Sequence, residues 1–200
     1  MFKKEVYIDR RKRLKQKLSN GLILIPGNSE TPMNYPGNAY LFRQDSAFLY
    51  YFGLDMPDLT GIIDLDNDKE YIFGDDVSLD DIIWMGPQPS MKELSQEVGV
   101  ENSAPSKEVG DFLRKARDKG QKIHTLPFYR AENVVAFADW LGIHHSQAKD
   151  YVSEELIHAV EASAFGFLSG LLPGLRDLRA RLARWRRLCL PLPAAALGAS

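Results

Sequence analysis

Leu22-Ile23-Leu24-Ile25 is an unbroken apolar run, closed by Pro26 and bracketed by Gly21 and Gly27. The run is short and β-branched, so it reads as a strand buried on both faces. Such a strand favours an α/β sheet. Around it the pattern alternates. Residues before Asn20-Gly21 read as a helix, with Val6, Ile8, Leu14 and Leu18 set among Arg10, Arg11, Lys12, Arg13, Lys15 and Lys17. Asn20-Gly21 is expected to close that helix as a C-cap, and the basic run to form its solvated face.

Residues 28–40 read as a polar loop with Pro32, Pro36 and Gly37. Asp45 or Ser46 can then cap a short aromatic helix over 47–52, stopped by Gly53. Residues 59–65 and 70–73 predict a β-hairpin through Asp66-Asn67-Asp68-Lys69. Helical apolar spacing marks 91–98, 109–116 and 131–141, and 122–126 reads as a further strand. Short strands alternating with helices predict an α/β or α+β domain with a mixed sheet.

Charge divides the chain. Residues 1–162 hold 19 Lys+Arg against 26 Asp+Glu, a net of −7. Residues 163–200 hold six Arg and one acid, Asp177, a net of +5. Of those last 38 residues, 30 are Ala, Gly, Pro, Arg or Leu, so a boundary falls at 162/163. The acidic excess of the first part argues against a nucleic-acid groove. One cysteine, Cys189, precludes an internal disulfide framework and a Cys-based zinc site. No apolar run reaches the roughly 18 residues of a membrane span. Nothing in the opening residues marks a secretory signal, and a cytoplasmic location is expected.

Residue chemistry points to no active site. A calcium loop counted from Asp64 would need Gly and Glu where Lys69 and Asp75 stand, so a solvated hairpin turn is expected there. His124, His144, His145 and His158 make no zinc spacing, and adjacent His144 and His145 should point apart. They read as surface or capping histidines. No nucleophile elbow, P-loop or dinucleotide fingerprint occurs. No catalytic and no metal residue is assigned.

Tyr40-Leu41-Phe42-Arg43-Gln44-Asp45-Ser46-Ala47-Phe48-Leu49-Tyr50-Tyr51-Phe52-Gly53 resembles the F-R-Q-[DN]-S-x-F-x-Y-x-x-G signature of the amino-terminal domain of Xaa-Pro aminopeptidases (aminopeptidase P), in the creatinase/prolidase superfamily. Asp81-Ile82-Ile83-Trp84-Met85-Gly86-Pro87-Gln88 is similar to the family's I-W-x-G-x motif. The resemblance covers roughly residues 1–160. It implies an α/β fold of the creatinase amino-domain type, a mixed β-sheet flanked by helices. It also implies that catalysis lies elsewhere, in a carboxy-terminal domain whose two Asp, one His and two Glu hold two metal ions, usually manganese. The expected role is therefore a non-catalytic N-terminal domain over 1–162. Its parent enzyme would release an N-terminal residue that precedes proline. The domain would shape substrate access and homo-oligomer contacts, with proline-containing peptides and its own catalytic domain as partners. The alternative is a stand-alone, catalytically dead peptide- or protein-binding module.

Trp84, Arg43 and Asp45 are the candidate substrate-access or subunit-interface residues. Arg43 reads as a bidentate structural clamp, or else as substrate-facing. Trp84 either packs on its own domain or anchors a subunit contact. Residues 163–200 cannot supply five metal ligands, having one acid and no His. No cofactor is expected in this chain. That tail reads as non-native or frame-shifted sequence, since its residues use GC-rich codons. The other reading is a basic amphipathic helix that lies on a membrane or binds a partner groove.

Overall fold

The computed structural model describes residues 2–35, 37–77, 83 and 86–171, with side chains as far as 163. Trp84 and its neighbours Asp81, Ile82 and Met85 lie outside the described residues, as does the tail from 172 to 200. Met1–Val160 form one compact unit.

Helix α1 (Lys4–Lys15) precedes strand β1 (Leu22–Pro26). A small ribbon, β2 (Pro32–Tyr35) and β3 (Asn38–Ala39), leads to α2 (Ser46–Phe52). The hairpin β4 (Thr60–Asp64) and β5 (Lys69–Phe73) follows, then α3 (Met91–Glu97) and β6 (Asn102–Ala104). A 3₁₀ turn enters α4 (Val109–Asp118), followed by β7 (Ile123–Thr125) and α5 (Ala131–Leu141). A second 3₁₀ turn (His145–Tyr151) precedes α6 (Glu154–Leu171). The main sheet has the order β6-β5-β4-β1-β7. β1 and β4, and β4 and β5, pair antiparallel, while β1–β7 and β5–β6 pair parallel. The expected mixed α/β sheet flanked by helices is what forms.

β1 shows why its apolar run has no polar face. Ile23 and Ile25 enter the core beneath α1, α2, α3 and α6, beside Tyr7, Phe48, Phe52 and Leu156. Leu22 and Leu24 enter the opposite core under α4 and α5, beside Leu113, Phe137 and Leu141. Strand side chains alternate faces, so one run feeds both layers. The aromatic helix forms as read. Asp45 Oδ1 accepts from Ala47 N at 2.8 Å and Phe48 N at 2.9 Å, and Gly53 stops the helix at φ +74°.

Several expectations need correction. α1 ends at Lys15 with Gln16 as its cap, so Asn20-Gly21 is not the helix stop. Gly21 takes φ +99° to enter β1, and a Cβ there would meet Lys122 O at 2.5 Å. The basic run is not wholly solvated: Arg10 and Arg11 are buried, and Ile8 is exposed. Arg11 Nε pairs with Glu70 at 2.6 Å. Its Nη1 donates to Tyr51 O, and its Nη2 to Val98 O and Gly99 O. Arg10 stacks on Tyr50, 4.0 Å from the ring centre, and donates to Tyr50 O. The polar loop 28–40 contains the β2–β3 ribbon. The rings of His144 and His145 do not point apart but lie together, centroids 4.0 Å apart, because the 3₁₀ turn begins between them. His124 is buried rather than surface or capping.

Candidate functional site

β1 and β7 run parallel and release their chains at the same end of the sheet, beyond the carboxyl ends of the strands, where open α/β sheets gather functional groups. β1 continues into Gly27-Asn28, β7 into Leu126-Pro127-Phe128-Tyr129. Asp45, at the start of α2, completes the corner. A cleft of about 30 Å³ there is lined by Pro26, Asp45, Phe128, Tyr129 and Asn133 among others.

Gln44 organises the corner. Its buried amide oxygen accepts from Asn28 N and Asp45 N, both at 2.8 Å. Its Nε2 donates to Met56 O at 2.6 Å. Gly27 leaves the room, since a Cβ there would stand 2.9 Å from Gln44 Oε1. Asn28 Nδ2 donates to Arg43 O at 2.8 Å and to the Tyr129 hydroxyl at 3.2 Å. Arg130 Nη2 donates to Thr31 Oγ1. Partial desolvation and the neighbouring Asp45 carboxylate hold the Tyr129 phenol above its ordinary pKa, while its hydrogen bond with Asn28 works the other way.

Arg43 and Asp45 are thus brought to one corner. Trp84 falls outside the described residues. The Arg43 guanidinium is exposed and makes no hydrogen bond or ion pair among the described residues. Asn28, Tyr129 and Arg130 were not singled out by sequence. Asn28 carries a signal, a polar residue directly after a buried strand. Tyr129 carries none until β7 is known to lie beside β1. The corner can present a guanidinium, a carboxylate and a phenol to a partner. Among the described residues no three His, Cys, Asp or Glu side chains come together as a metal would need. His124 bonds to Ser153 Oγ at 2.8 Å and Asn20 O at 3.0 Å, on the other side of β7. No described helix is long and apolar enough to cross a membrane.

Fold and corner together define a helix-flanked mixed-sheet domain that displays polar groups where β1 and β7 end. The family model of the aminopeptidase P N-terminal domain matches residues 7–124, and the chain belongs to that family. A probable Xaa-Pro aminopeptidase of Metarhizium acridum is 27% identical over 98 residues, covering 49% of this chain and 19% of the relative. The Xaa-Pro dipeptidase of Homo sapiens is 26% identical over 95 residues, covering 48% and 19%. Among solved structures, aminopeptidase P from E. coli in its low-pH form matches with TM-score 0.61 and 19% identity, over 71% of this chain and 33% of that one. Pseudomonas aeruginosa aminopeptidase PepP matches with TM-score 0.62 and 18% identity, over 76% and 35%. The chain therefore spans about a fifth of these curated relatives and a third of the solved chains.

Proposed function

We propose that this chain is the non-catalytic N-terminal domain of a metal-dependent Xaa-Pro aminopeptidase. In this reading a separate catalytic domain holds the metal pair, manganese by resemblance, and cleaves before proline in the cytoplasm. Arg43, Asp45 and Trp84 help frame substrate access and subunit contacts. The observation that supports it best is the family match over 7–124, which includes the whole signature around Arg43 and Asp45. The exposed Arg43 guanidinium, unpaired among the described residues, suits the terminal carboxylate or carbonyls of a peptide.

The test grafts residues 1–160 in place of the corresponding domain of the E. coli aminopeptidase P. The 200-residue chain alone should not hydrolyse an Xaa-Pro peptide with added manganese. The chimera should, and Arg43→Ala or Trp84→Ala in it should raise KM for longer peptides with little change in kcat. Turnover that follows the isolated chain through independent preparations refutes the non-catalytic assignment. An active chimera indifferent to both substitutions refutes the access role.

A further inference from the structure

Asn20-Gly21 is the one Asn-Gly step in the chain, and it stands where the backbone turns into β1. Asparagine is among the thermolabile residues. Its weakness is intramolecular. The amide nitrogen of the next residue can attack the side-chain amide carbon, and the chain itself supplies the proximity. A side chain on that next residue hinders the approach, and glycine has none. Here the fold demands the glycine. Gly21 takes φ +99°, and a Cβ there would stand 2.5 Å from Lys122 O.

The attacking nitrogen also faces a base. Gly21 N donates to Asp66 Oδ1 at 3.0 Å, inside the heavy-atom reach of about 2.6–3.2 Å that a general base needs. Asn20 and Asp66 are both exposed, so water reaches the step. The Asn20 side chain makes no hydrogen bond among the described residues. Other asparagines are held. Asn28, Asn67 and Asn102 donate through Nδ2 to Arg43 O, Asp64 and Glu70 O. Each of those three is followed by a residue that carries a Cβ.

We propose that Asn20 is a self-modification site, deamidated in the folded chain with Asp66 as the base. Gly21 N bonds to Asn20 Cγ as its proton passes to Asp66. The Cγ–Nδ2 bond then breaks, the proton returns from Asp66 to the departing nitrogen, and ammonia leaves. Water opens the resulting succinimide. Attack at Cγ gives aspartate. Attack at the main-chain carbonyl carbon gives isoaspartate, with the backbone rerouted through Cγ. In that product the Asn20 carbonyl oxygen, 3.0 Å from His124 Nε2, becomes part of a free carboxylate. The main chain also gains a methylene immediately before the bonds that start β1, Leu65 N to Gly21 O at 2.9 Å and Leu22 N to Lys122 O at 2.7 Å. Strand entry thus carries a record of the age of the molecule, whatever the role of the domain.

The test holds the 200-residue chain at neutral pH and body temperature, folded and in guanidinium, and follows each asparagine by peptide mapping. Methylation by an isoaspartate-specific methyltransferase reports the rerouted product. Asn20 should convert at least about tenfold faster folded than unfolded, short of the hundredfold or more that a positioned base contributes in an enzyme. Asp66→Asn keeps an acceptor for Gly21 N but removes the base. It should abolish that excess with an unchanged thermal melt. Asn20→Gln should leave no conversion at this position. An Asn20 that converts no faster folded than unfolded overturns the proposal. So does a folded Asp66→Asn chain that converts at the wild-type rate. Should Asp66→Asn fold poorly, the wild-type comparison between folded and unfolded chain decides alone.

Discussion

Arg11 is the residue on which most elements of the first core converge. Its guanidinium is fully buried, paired with Glu70 of β5 and bonded to carbonyls at the ends of α2 and α3. Burial lowers its pKa, but an arginine remains charged at any working pH. Arg11→Met should therefore cost about 3–5 kcal/mol, because it strands three carbonyls and leaves Glu70 with Lys15 as its remaining ion-pair partner. Arg11→Lys should recover only part of this, since one ammonium cannot span the same fork. Urea unfolding of the two variants checks the order. His124 supplies a pH dependence. Burial lowers its pKa below the usual 6.5, outweighing its bond to Asn20 O. The unfolded chain then binds a proton more readily than the folded one, so stability is complete above about pH 6.5 and falls as pH drops below it. Neutral His124 donates to Asn20 O and accepts from Ser153, whose oxygen also takes Leu156 N at the start of α6. Protonation turns that acceptor into a donor. Lys122, Glu155 and Asp66 are the charges that bear on it. The urea midpoint should drop between pH 7.5 and 5.5, and the drop should be smaller in His124→Gln.

At the scale of elements, α2 is short and depends on its ends and on the strand beneath. Seven residues cannot hold a helix by propensity alone. Asp45→Ala removes the acceptor for two backbone N–H groups and should cost ~1 kcal/mol. Gly61 in β4 is the floor under the same helix, and a Cβ there would intrude on the Phe52 ring. Gly61→Ala should cost about 1–3 kcal/mol through forced repacking. Thermal melts separate the two, the glycine variant losing more. The hairpin β4–β5 relies on Asp64, whose carboxylate oxygens are satisfied by neighbouring amide donors. Asp66 N, Asn67 N, Asn67 Nδ2 and Gln121 Nε2 all donate to it. Asp64, the first residue of the acidic run that resembles a cation loop, is thus occupied by bonds from the turn and from Gln121.

For the whole unit, the shared sheet couples two cores. β1 and β4 send neighbouring residues into opposite layers: Ile23 against Leu22, and Ile63 against Ile62. Loosening one layer therefore disturbs the strands that build the other. Phe52→Ala in the first core and Phe137→Ala in the second should each cost about 3–5 kcal/mol. Both should shift a single unfolding transition, seen alike by tryptophan fluorescence and far-ultraviolet circular dichroism. Two separable transitions would show that the layers melt independently.

The local signals were legible without coordinates. Burial of β1 on both faces, the Asp45 and Gly53 caps, the turn between β4 and β5 and the 131–141 helix are each encoded within a few neighbouring residues. The signature around Arg43 was legible for the same reason, being one continuous stretch. Tertiary structure alone decided which polar groups go inside. Hydrophobic spacing counts Arg10 and Arg11 as solvated, yet Arg11 finds its partners 40, 59 and 87 residues away. Asn28 and Tyr129 meet across 101 residues, and only the parallel pairing of β1 with β7 brings them together. A buried charge or amide is stable only where partners satisfy it. Those partners are set by how the strands are ordered in the sheet, which no local spacing in the chain records.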